Sequence, residues 1–230
     1  MKAEKTAKND SNFFAELGNV IVQLSSGIGA SLAIFALTLI FSLPLGMLLM
    51  FARRSRIKIL QIIAKIYISI MRGTPLMLQL LVVFFGPYYI FGISLSYSYR
   101  FYAVIIGFSL NYAAYFAEIF RSGVEAIPVG QYEASAVLGY SKPQTFCRII
   151  FPQMMGIVLP PVTNEVITLV KDTSLAFALA YTEMFTLAKQ IAAANASIMP
   201  LFTAGVFYYI FNAIVAWFMN YLEKKMHYYK

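Results

Sequence analysis

Seven polar or charged residues interrupt stretches that are otherwise apolar enough to cross a membrane, and they are the residues best able to do chemistry. They are Arg72, Asn111, Glu118, Asn164, Glu165, Lys171 and Asp172. A charged side chain at membrane depth costs at least roughly 2.5 kcal/mol, so each needs a partner or a water-filled cavity. Two interpretations stay open. The residues form ion pairs between helices, such as Lys171 or Arg72 with Asp172 or Glu165, or some of them line a cavity that binds the charged groups of a small solute.

The strongest candidates for such a cavity wall lie beside hydroxyl groups or beside expected breaks in a helix. Pro75 lacks a backbone N–H and disfavours helix at Thr74. Asp172 is followed directly by Thr173 and Ser174. Irregular backbone at membrane depth must be enclosed by protein or line a cavity. The predicted solute-binding residues are Thr74, Asn111, Asp172, Thr173 and Ser174.

Residues for catalysis or metal binding are not assembled in this sequence. Cys147 is the only cysteine and His227 the only histidine, which excludes an intramolecular disulfide and the common metal-binding spacings. The sequence has no G-x-x-x-x-G-K-[ST] phosphate loop, and no nucleophile, base and orienting group occur together. We therefore predict no catalytic site, no metal site and no cofactor in this chain. Glu118 and Arg121, one helical turn apart, are predicted to form a structural i,i+3 pair.

The composition predicts an all-α integral membrane protein. The chain is 60% hydrophobic and 12% charged, against roughly 25% charged residues in a soluble domain. Residues 17–52, 73–99 and 190–222 contain no Asp, Glu, Lys or Arg, and each run exceeds the roughly 20 residues that span a bilayer core. The formal charge of +8 is typical of basic residues that orient membrane helices, so we predict no nucleic-acid binding.

Five stretches predict spans: part of residues 17–52, then 59–89, 102–121, 149–181 and 198–221. Only Arg100 and Lys189 lie in loops that would be external, whereas ten basic residues lie in segments that would be cytoplasmic. The ten are Arg53, Arg54, Arg56, Lys58, Arg121, Lys142, Arg148, Lys224, Lys225 and Lys230. Because basic residues are retained in the cytoplasm, this arrangement has its N-terminus outside.

The same topology divides the chain into a tail, one membrane domain and a second tail. Residues 1–16 are predicted to be extracytoplasmic, 17–225 a single membrane domain, and 226–230 cytoplasmic. We predict a kink in the second span at Thr74 and Pro75, and no continuous straight helix through Pro160 and Pro161. The polar stretch that contains Glu183 and Lys189 is predicted to be an external loop.

The segment at about residues 122–148 is too polar to span and is predicted to form two short cytoplasmic helices. Residues 131–139 suit an amphipathic helix that Gly139 closes in a left-handed conformation. Ser141 and Gln144 have the spacing of a capping box for a second helix. The small residues Ala134 and Ser135 would permit a close approach by a partner. A solvated or interfacial loop is an equally good interpretation from physics alone.

A family resemblance decides between these interpretations. Glu133-Ala134-Ser135, Gly139 and Ile149-x-Phe151-Pro152 resemble the EAA loop of permease subunits in binding-protein-dependent ABC importers, with Ser135 and Phe151 as mild departures. The resemblance implies coupling helices that dock onto a separate ATPase subunit. Four further stretches resemble the polar amino-acid importer branch: 72–79, 117–123, 127–131 and 171–175. The ATPase-docking residues implied are Gln131, Glu133, Ala134, Ser135, Leu138 and Gly139.

The resemblance also implies an architecture, partners and a mechanism. We expect a type I ABC importer transmembrane domain of about five helices in the bacterial inner membrane, paired with itself or with a similar permease. Its partners would be ATPase subunits that hold ATP and Mg²⁺, and an extracytoplasmic substrate-binding protein. The substrate would be a polar amino acid moved by alternating access. Few carboxylates are available in the spans, which favours a cystine or glutamine type over a cationic amino acid. The alternative is a carrier or channel subunit that needs no ATPase.

Overall fold

The all-α prediction is confirmed by a computed structural model, which describes the backbone of residues 2–94 and 96–226 and, within those ranges, the side chains from Ala15 onward. The helices are α1 (Lys2–Arg53), α2 (Lys58–Gly73), α3 (Leu76–Phe91), α4 (Tyr99–Glu125), α5 (Val129–Val137), α6 (Lys142–Thr145), α7 (Phe151–Asp172), α8 (Met184–Asn195) and α9 (Met199–Met226). A π-helical turn, Phe146–Ile150, joins α6 to α7, and a 3₁₀ helix, Thr173–Leu179, follows α7. The predicted tail residues 227–230 lie outside the described part.

Within the described ranges, four helical segments are long and apolar enough to cross a membrane: Ala15–Arg53, Tyr99–Glu125, Lys142–Leu179 and Met199–Met226. The pair α2 and α3 counts as a fifth if it is one broken span. The break occurs where Pro75 predicted it, and Thr74 has the extended backbone that a following proline favours, with φ −124° and ψ 149°. The two helices meet at 113°, so the break is much sharper than the predicted kink.

The central helix of the bundle is α4, which packs against α1, α2, α3 and α7. It runs parallel to α1. A Cβ atom at Gly46 of α1 would lie only 2.8 Å from the Cβ of Phe116, so the small residue permits the close approach of the two helices. Arg53 at the end of α1 forms an ion pair with Glu118 of α4. The C-terminal ends of α1 and α4 are therefore on the same side of the bundle, the side predicted to be cytoplasmic.

The predicted interruption at Pro160 and Pro161 was wrong, because α7 continues through both residues. Both prolines are exposed, while Val158 and Val162 on either side are buried. A proline removes one hydrogen bond locally, and the packed face can hold the helix across that gap. The irregular backbone lies instead at the two ends of the helix, in the π-helical turn and the 3₁₀ helix.

Two further expectations differ from the structure. The stretch with Glu183 and Lys189 is not a loop: it begins α8, whose N-cap is Glu183 with its side chain fully buried. The helix α1 begins at Lys2 rather than near residue 17, so the N-terminal segment is helical. That this segment is extracytoplasmic stays a prediction.

Candidate functional site

A group of amide and hydroxyl side chains holds the break between α2 and α3. The side-chain amide of Gln79 donates to the Oγ1 of Thr74 at 2.8 Å and to the backbone oxygen of Met71 at 2.9 Å. The Nδ2 of Asn111, on α4, donates to the Oε1 of Gln79 at 2.9 Å. These bonds satisfy a carbonyl group that the break leaves without a helical partner. Thr74 and Asn111 are thus brought together as predicted, but their polar atoms bond to the break itself.

The carboxylate of Asp172 lies against the residue that follows Asn111 on α4. The hydroxyl of Tyr112 donates to Oδ2 of Asp172 at 2.7 Å, and Tyr112 is buried. Thr173 is fully buried, and its Oγ1 donates to the carbonyl oxygen of Val170. Ser174 donates to the carbonyl oxygen of Lys171. Asp172 is the only charged residue of the predicted set, and its carboxylate is half-buried.

Polar residues of α7 form one face that neighbouring helices do not cover. Its members, at helical spacing, are Asn164, Glu165, Thr168, Lys171 and Asp172, all exposed or half-buried. Arg72, on α2, is also exposed, and its guanidinium carbon lies 5.4 Å from the centre of the Tyr115 ring. Among the described residues, neither Arg72 nor Lys171 forms the expected ion pair with Asp172 or Glu165. Uncovered polar groups at membrane depth require a polar cavity or a further protein surface.

A cavity of about 570 Å³ opens beside Arg72, on the side of the break nearer the cytoplasmic ends of α1 and α4. Its lining residues are Arg53, Lys65, Ile68, Ser69, Arg72, Gly73, Tyr115 and Glu118. The cavity and the polar face of α7 are the parts of the described bundle where a charged solute would find polar groups.

The segment predicted to dock onto an ATPase, about residues 122–148, has the predicted helix ends, and we term it the docking segment. Gly139 adopts φ +76° after α5, and its N–H donates to the carbonyl oxygen of Ala136. The N–H of Tyr140 donates to the carbonyl oxygen of Ser135, which completes a Schellman motif. The N–H of Ser141 donates to Oε1 of Gln144 at 2.8 Å, the reciprocal bond of a capping box. Both caps predicted from the sequence are therefore present.

Most of the predicted docking residues are exposed, namely Gln131, Glu133, Ala134, Leu138 and Gly139. Ser135 differs: it is 2% exposed, and its Oγ accepts a hydrogen bond from Thr145 at 3.0 Å. Its position therefore joins α5 to α6 and does not face outward. Two further apolar residues of this segment, besides Leu138, are exposed and were not predicted: Val137 is 89% exposed and Val129 is 68% exposed.

The docking segment is joined to the polar face by continuous helix. Residues Lys142–Leu179 form one uninterrupted helical segment that contains α6, the π-helical turn, α7 and the 3₁₀ helix. Its beginning also contacts α5, where the amide of Gln153 donates to Gln131 at 3.3 Å. The second helix of the docking segment, α6, and the residues around Asp172 therefore belong to one continuous helical segment.

Known transport proteins resemble this chain over most of its length. The family model described as binding-protein-dependent transport system inner membrane component matches residues 42–228. The chain belongs to this family.

The similarity extends to amino-acid transporters over most of the chain. The permease is 39% identical over 204 residues to a probable amino-acid ABC transporter permease protein, YckA, of Bacillus subtilis, covering 88% of each chain. It is 36% identical over 214 residues to an L-cystine transport system permease protein, TcyL, of the same organism, covering 91% of this chain and 90% of the relative. A crystal structure of an amino acid ABC transporter with histidines superposes with a TM-score of 0.83 at 25% identity, covering 92% of this chain and 98% of that one. This chain is thus an amino-acid ABC permease subunit and not itself an enzyme.

At the C-terminal ends of α1 and α4, on the side predicted to be cytoplasmic, the permease carries a group of ion pairs that we term the cytoplasmic cluster. The pairs join Arg53 to Glu118, Arg54 to Glu125, and Arg121 to both Glu118 and Glu125. The predicted i,i+3 pair of Glu118 and Arg121 is confirmed. The ion pair between Arg53 and Glu118 was not predicted, because it depends on the parallel packing of α1 against α4.

At the other end of the bundle, the permease encloses the carboxylate of Glu183, a residue predicted to lie in an external loop. The oxygens of Glu183 accept bonds from the N–H groups of Phe185 and Thr186, both at 2.7 Å, and from Oγ1 of Thr186 at 2.9 Å. The hydroxyls of Tyr208 on α9 and Ser31 on α1 donate at 3.0 and 3.4 Å. Burial raises the pKa of the Glu183 carboxyl, and the bonds from Phe185, Thr186 and Tyr208 oppose that shift. We term these groups the Glu183 network.

Proposed function

We propose that this permease forms the path of an ATP-driven importer for a polar amino acid and opens alternately to the two sides of the inner membrane. The observation that carries the proposal is the single helical segment Lys142–Leu179, which begins in the docking segment and ends beyond Asp172. Because the two regions share one helix, a force applied to the docking segment would reach the polar face directly. Alternating access requires such a connection between an energy source and a solute-binding surface.

The docking segment would receive an ATPase subunit that holds ATP and Mg²⁺. The exposed apolar side chains of Val137 and Leu138 would fill a cleft on that subunit, with Glu133 and Gln131 at its polar edge. Large exposed apolar residues next to polar ones are typical of a surface that a protein partner covers. A substrate-binding protein would deliver the amino acid from outside, and the polar face of α7 would be covered by a second permease, identical or similar to this one.

The substrate site would be centred on Asp172, whose carboxylate would meet the ammonium group of the amino acid. Thr173 and Ser174 would fix the backbone beside it, and Thr74 and Asn111 would shape the facing wall at the break. Glu118 is neutralised by two arginines, so few carboxylates remain for a second positive charge. A zwitterionic amino acid of the cystine or glutamine type is therefore favoured over a cationic one, and the similarity to a cystine permease supports this.

Uptake by proteoliposomes that contain the permease with its ATPase and binding protein tests the substrate site. Asp172→Asn should lower uptake at least tenfold, since it removes the charge that would pair with the ammonium group. Competition with a panel of amino acids would identify the preferred substrate. Glu16→Gln, which makes the same type of charge change far from the polar face, is the matched control. Uptake by Asp172→Asn equal to that of the control would overturn the proposed site.

A second pair of variants tests the energy source. Val137→Asp and Leu138→Asp place a charge in the proposed apolar contact and should abolish uptake while the permease still folds. Ala193→Asp, at an exposed position of α8, controls for the added charge. Transport by the permease alone in liposomes, without ATPase or ATP, would instead establish a carrier or channel subunit.

A further inference from the structure

A second basic cavity adjoins the first, with which it shares Arg53 and Lys65. It lies where the end of α1, the first half of α2 and the end of α4 meet. Its volume is about 490 Å³. The lining residues are Arg53, Arg54, Gln61, Ile62, Lys65, Arg121 and Glu125. Four side chains that line this cavity are cations and one is an anion, so the cavity is strongly positive.

The carboxylates nearby do not neutralise these cations. Glu118 and Glu125 are shared among three arginines of the cytoplasmic cluster. Arg54 contacts Glu125 only at 3.7 Å, and within the described ranges Lys65 forms no ion pair. The four cations exceed the two nearby carboxylates by two positive charges. Because these charges are confined to one cavity, they would strongly attract an anion.

The position of the cavity in the membrane limits which anion can occupy it. Its α2 wall supplies Gln61 and Lys65 from the polar stripe of that helix. Other residues of α2 form an exposed apolar surface of isoleucines: Ile59, Ile62, Ile63, Ile66 and Ile70. The cavity therefore opens between the basic cytoplasmic end of the bundle and a surface suited to hydrocarbon chains.

We propose that this cavity binds the phosphate group of an anionic phospholipid from the cytoplasmic leaflet. Lys65 and Arg54 supply the charge, the amide of Gln61 donates a hydrogen bond to a phosphate oxygen, and the acyl chains lie along the isoleucines of α2. Basic pockets between transmembrane helices on the cytoplasmic side recognise phosphate head groups in this way. A soluble phosphate would satisfy the same cations but would gain nothing from the apolar surface.

Native mass spectrometry and lipid titration of the purified permease test the proposal. Phosphatidylglycerol should bind to the wild type, and the double variant Arg54→Gln/Lys65→Gln should bind it roughly 30-fold more weakly, since each cation near a membrane surface contributes on the order of 1 kcal/mol. The control is Lys142→Gln/Arg148→Gln, which removes the same charge from exposed positions of the docking segment and should bind as the wild type does. Arg54→Lys/Lys65→Arg should restore binding, which separates lost charge from misfolding.

Two further ligands test whether the bound phosphate group belongs to an anionic lipid. Phosphatidylcholine, which has no net charge, and inorganic phosphate should each raise the thermal unfolding temperature less than phosphatidylglycerol does. Equal stabilisation by inorganic phosphate would overturn the lipid assignment, as would equal binding of phosphatidylcholine. Equal weakening in the control variant would show that only the overall cytoplasmic charge matters, and that would also overturn the proposed site.

Discussion

Two carboxylates at opposite ends of the bundle are stabilised in different ways. Glu118 lies in the cytoplasmic cluster, half-buried, and two arginines neutralise it. Glu183 is fully buried and is held by hydroxyl and backbone N–H donors, with no cation among the contacts that the structure gives it. Ser31 and Arg53, the α1 residues that contact the two carboxylates, lie 22 positions apart, a rise of roughly 33 Å along a helix, about the thickness of a bilayer core.

We expect this difference to separate an end of the bundle that binds ligands and partners from an end that anchors the fold. The cytoplasmic cluster keeps a surplus of charge beside two open cavities, so it can interact with a solute, a lipid or a partner. The Glu183 network uses neutral donors from α1, α8 and α9 and leaves no side chain free for a ligand. We expect substitutions in the Glu183 network to act mainly on stability, and substitutions at the cytoplasmic end to act mainly on binding and coupling.

The largest effect should come from Glu183→Ala. It removes the N-cap of α8 and leaves the buried N–H groups of Phe185 and Thr186 without acceptors. Each orphaned donor costs about 1 to 3 kcal/mol, so the loss of both bonds should cost about 3 kcal/mol or more. Unfolding of the purified permease in mixed micelles with increasing SDS measures it. Gln190→Ala, at an exposed position of the same helix, should stay within about 0.5 kcal/mol. A similar result for both variants would contradict the anchoring role.

A smaller effect should follow Glu183→Gln, which keeps the shape of the side chain. Each oxygen of Glu183 accepts from a backbone N–H, so either orientation of the new amide directs its NH₂ group at a donor that cannot rotate. One orphaned donor corresponds to about 1 to 3 kcal/mol in the same SDS titration. A stability equal to the wild type would show that the network needs no carboxylate and would remove the contrast with Glu118.

Features that depend on neighbouring residues could be predicted from the sequence. The caps at Gly139 and Ser141 and the break at Thr74 each follow from backbone preferences within a few positions, and all three are present. The expected loop at Glu183 was wrong because its polar residues indicated exposure. Its partner Ser31 is 152 residues away in the sequence, and only the packing of α1 against α8 brings them together.

Some residues of the candidate site could be predicted from the sequence, and their contacts could not. Asp172 was identified because its charge is conspicuous in an apolar stretch. Tyr112, which bonds to it, resembles any other aromatic residue of a buried helix, and Gln79 was visible only as part of a motif. Proline usually interrupts a helix, but α7 continues through Pro160 because buried neighbours on the other face stabilise it.

An intermediate, salt-dependent effect should distinguish Glu118 from Glu183. Glu118→Gln removes a half-buried charge shared by Arg53 and Arg121, and such pairs contribute about 1 kcal/mol or less. Added salt screens exposed charges, so the difference from wild type should shrink between low and high ionic strength. The loss caused by Glu183→Gln should not change, because its contacts are buried and involve neutral donors. Equal salt dependence at the two sites would contradict the claim that Glu118 and Glu183 are stabilised in different ways. SDS titration at two salt concentrations provides the measurement.

Gly139→Ala should have an effect on stability as small as that of Glu118→Gln, together with a large effect on function. The residue has φ +76°, where an alanine side chain is strained by about 1 kcal/mol, and the strain would be relieved by opening the cap between α5 and α6. Gly130→Ala is the matched control, since its φ is not positive and a Cβ atom there would meet nothing within 4 Å. Amino-acid uptake per ATP hydrolysed by the reconstituted importer should fall in the first variant and not in the second. If Gly139→Ala instead lowered the free energy of unfolding in SDS as much as Glu183→Ala does, the cytoplasmic end would also anchor the fold. Its open cavities would then need another explanation.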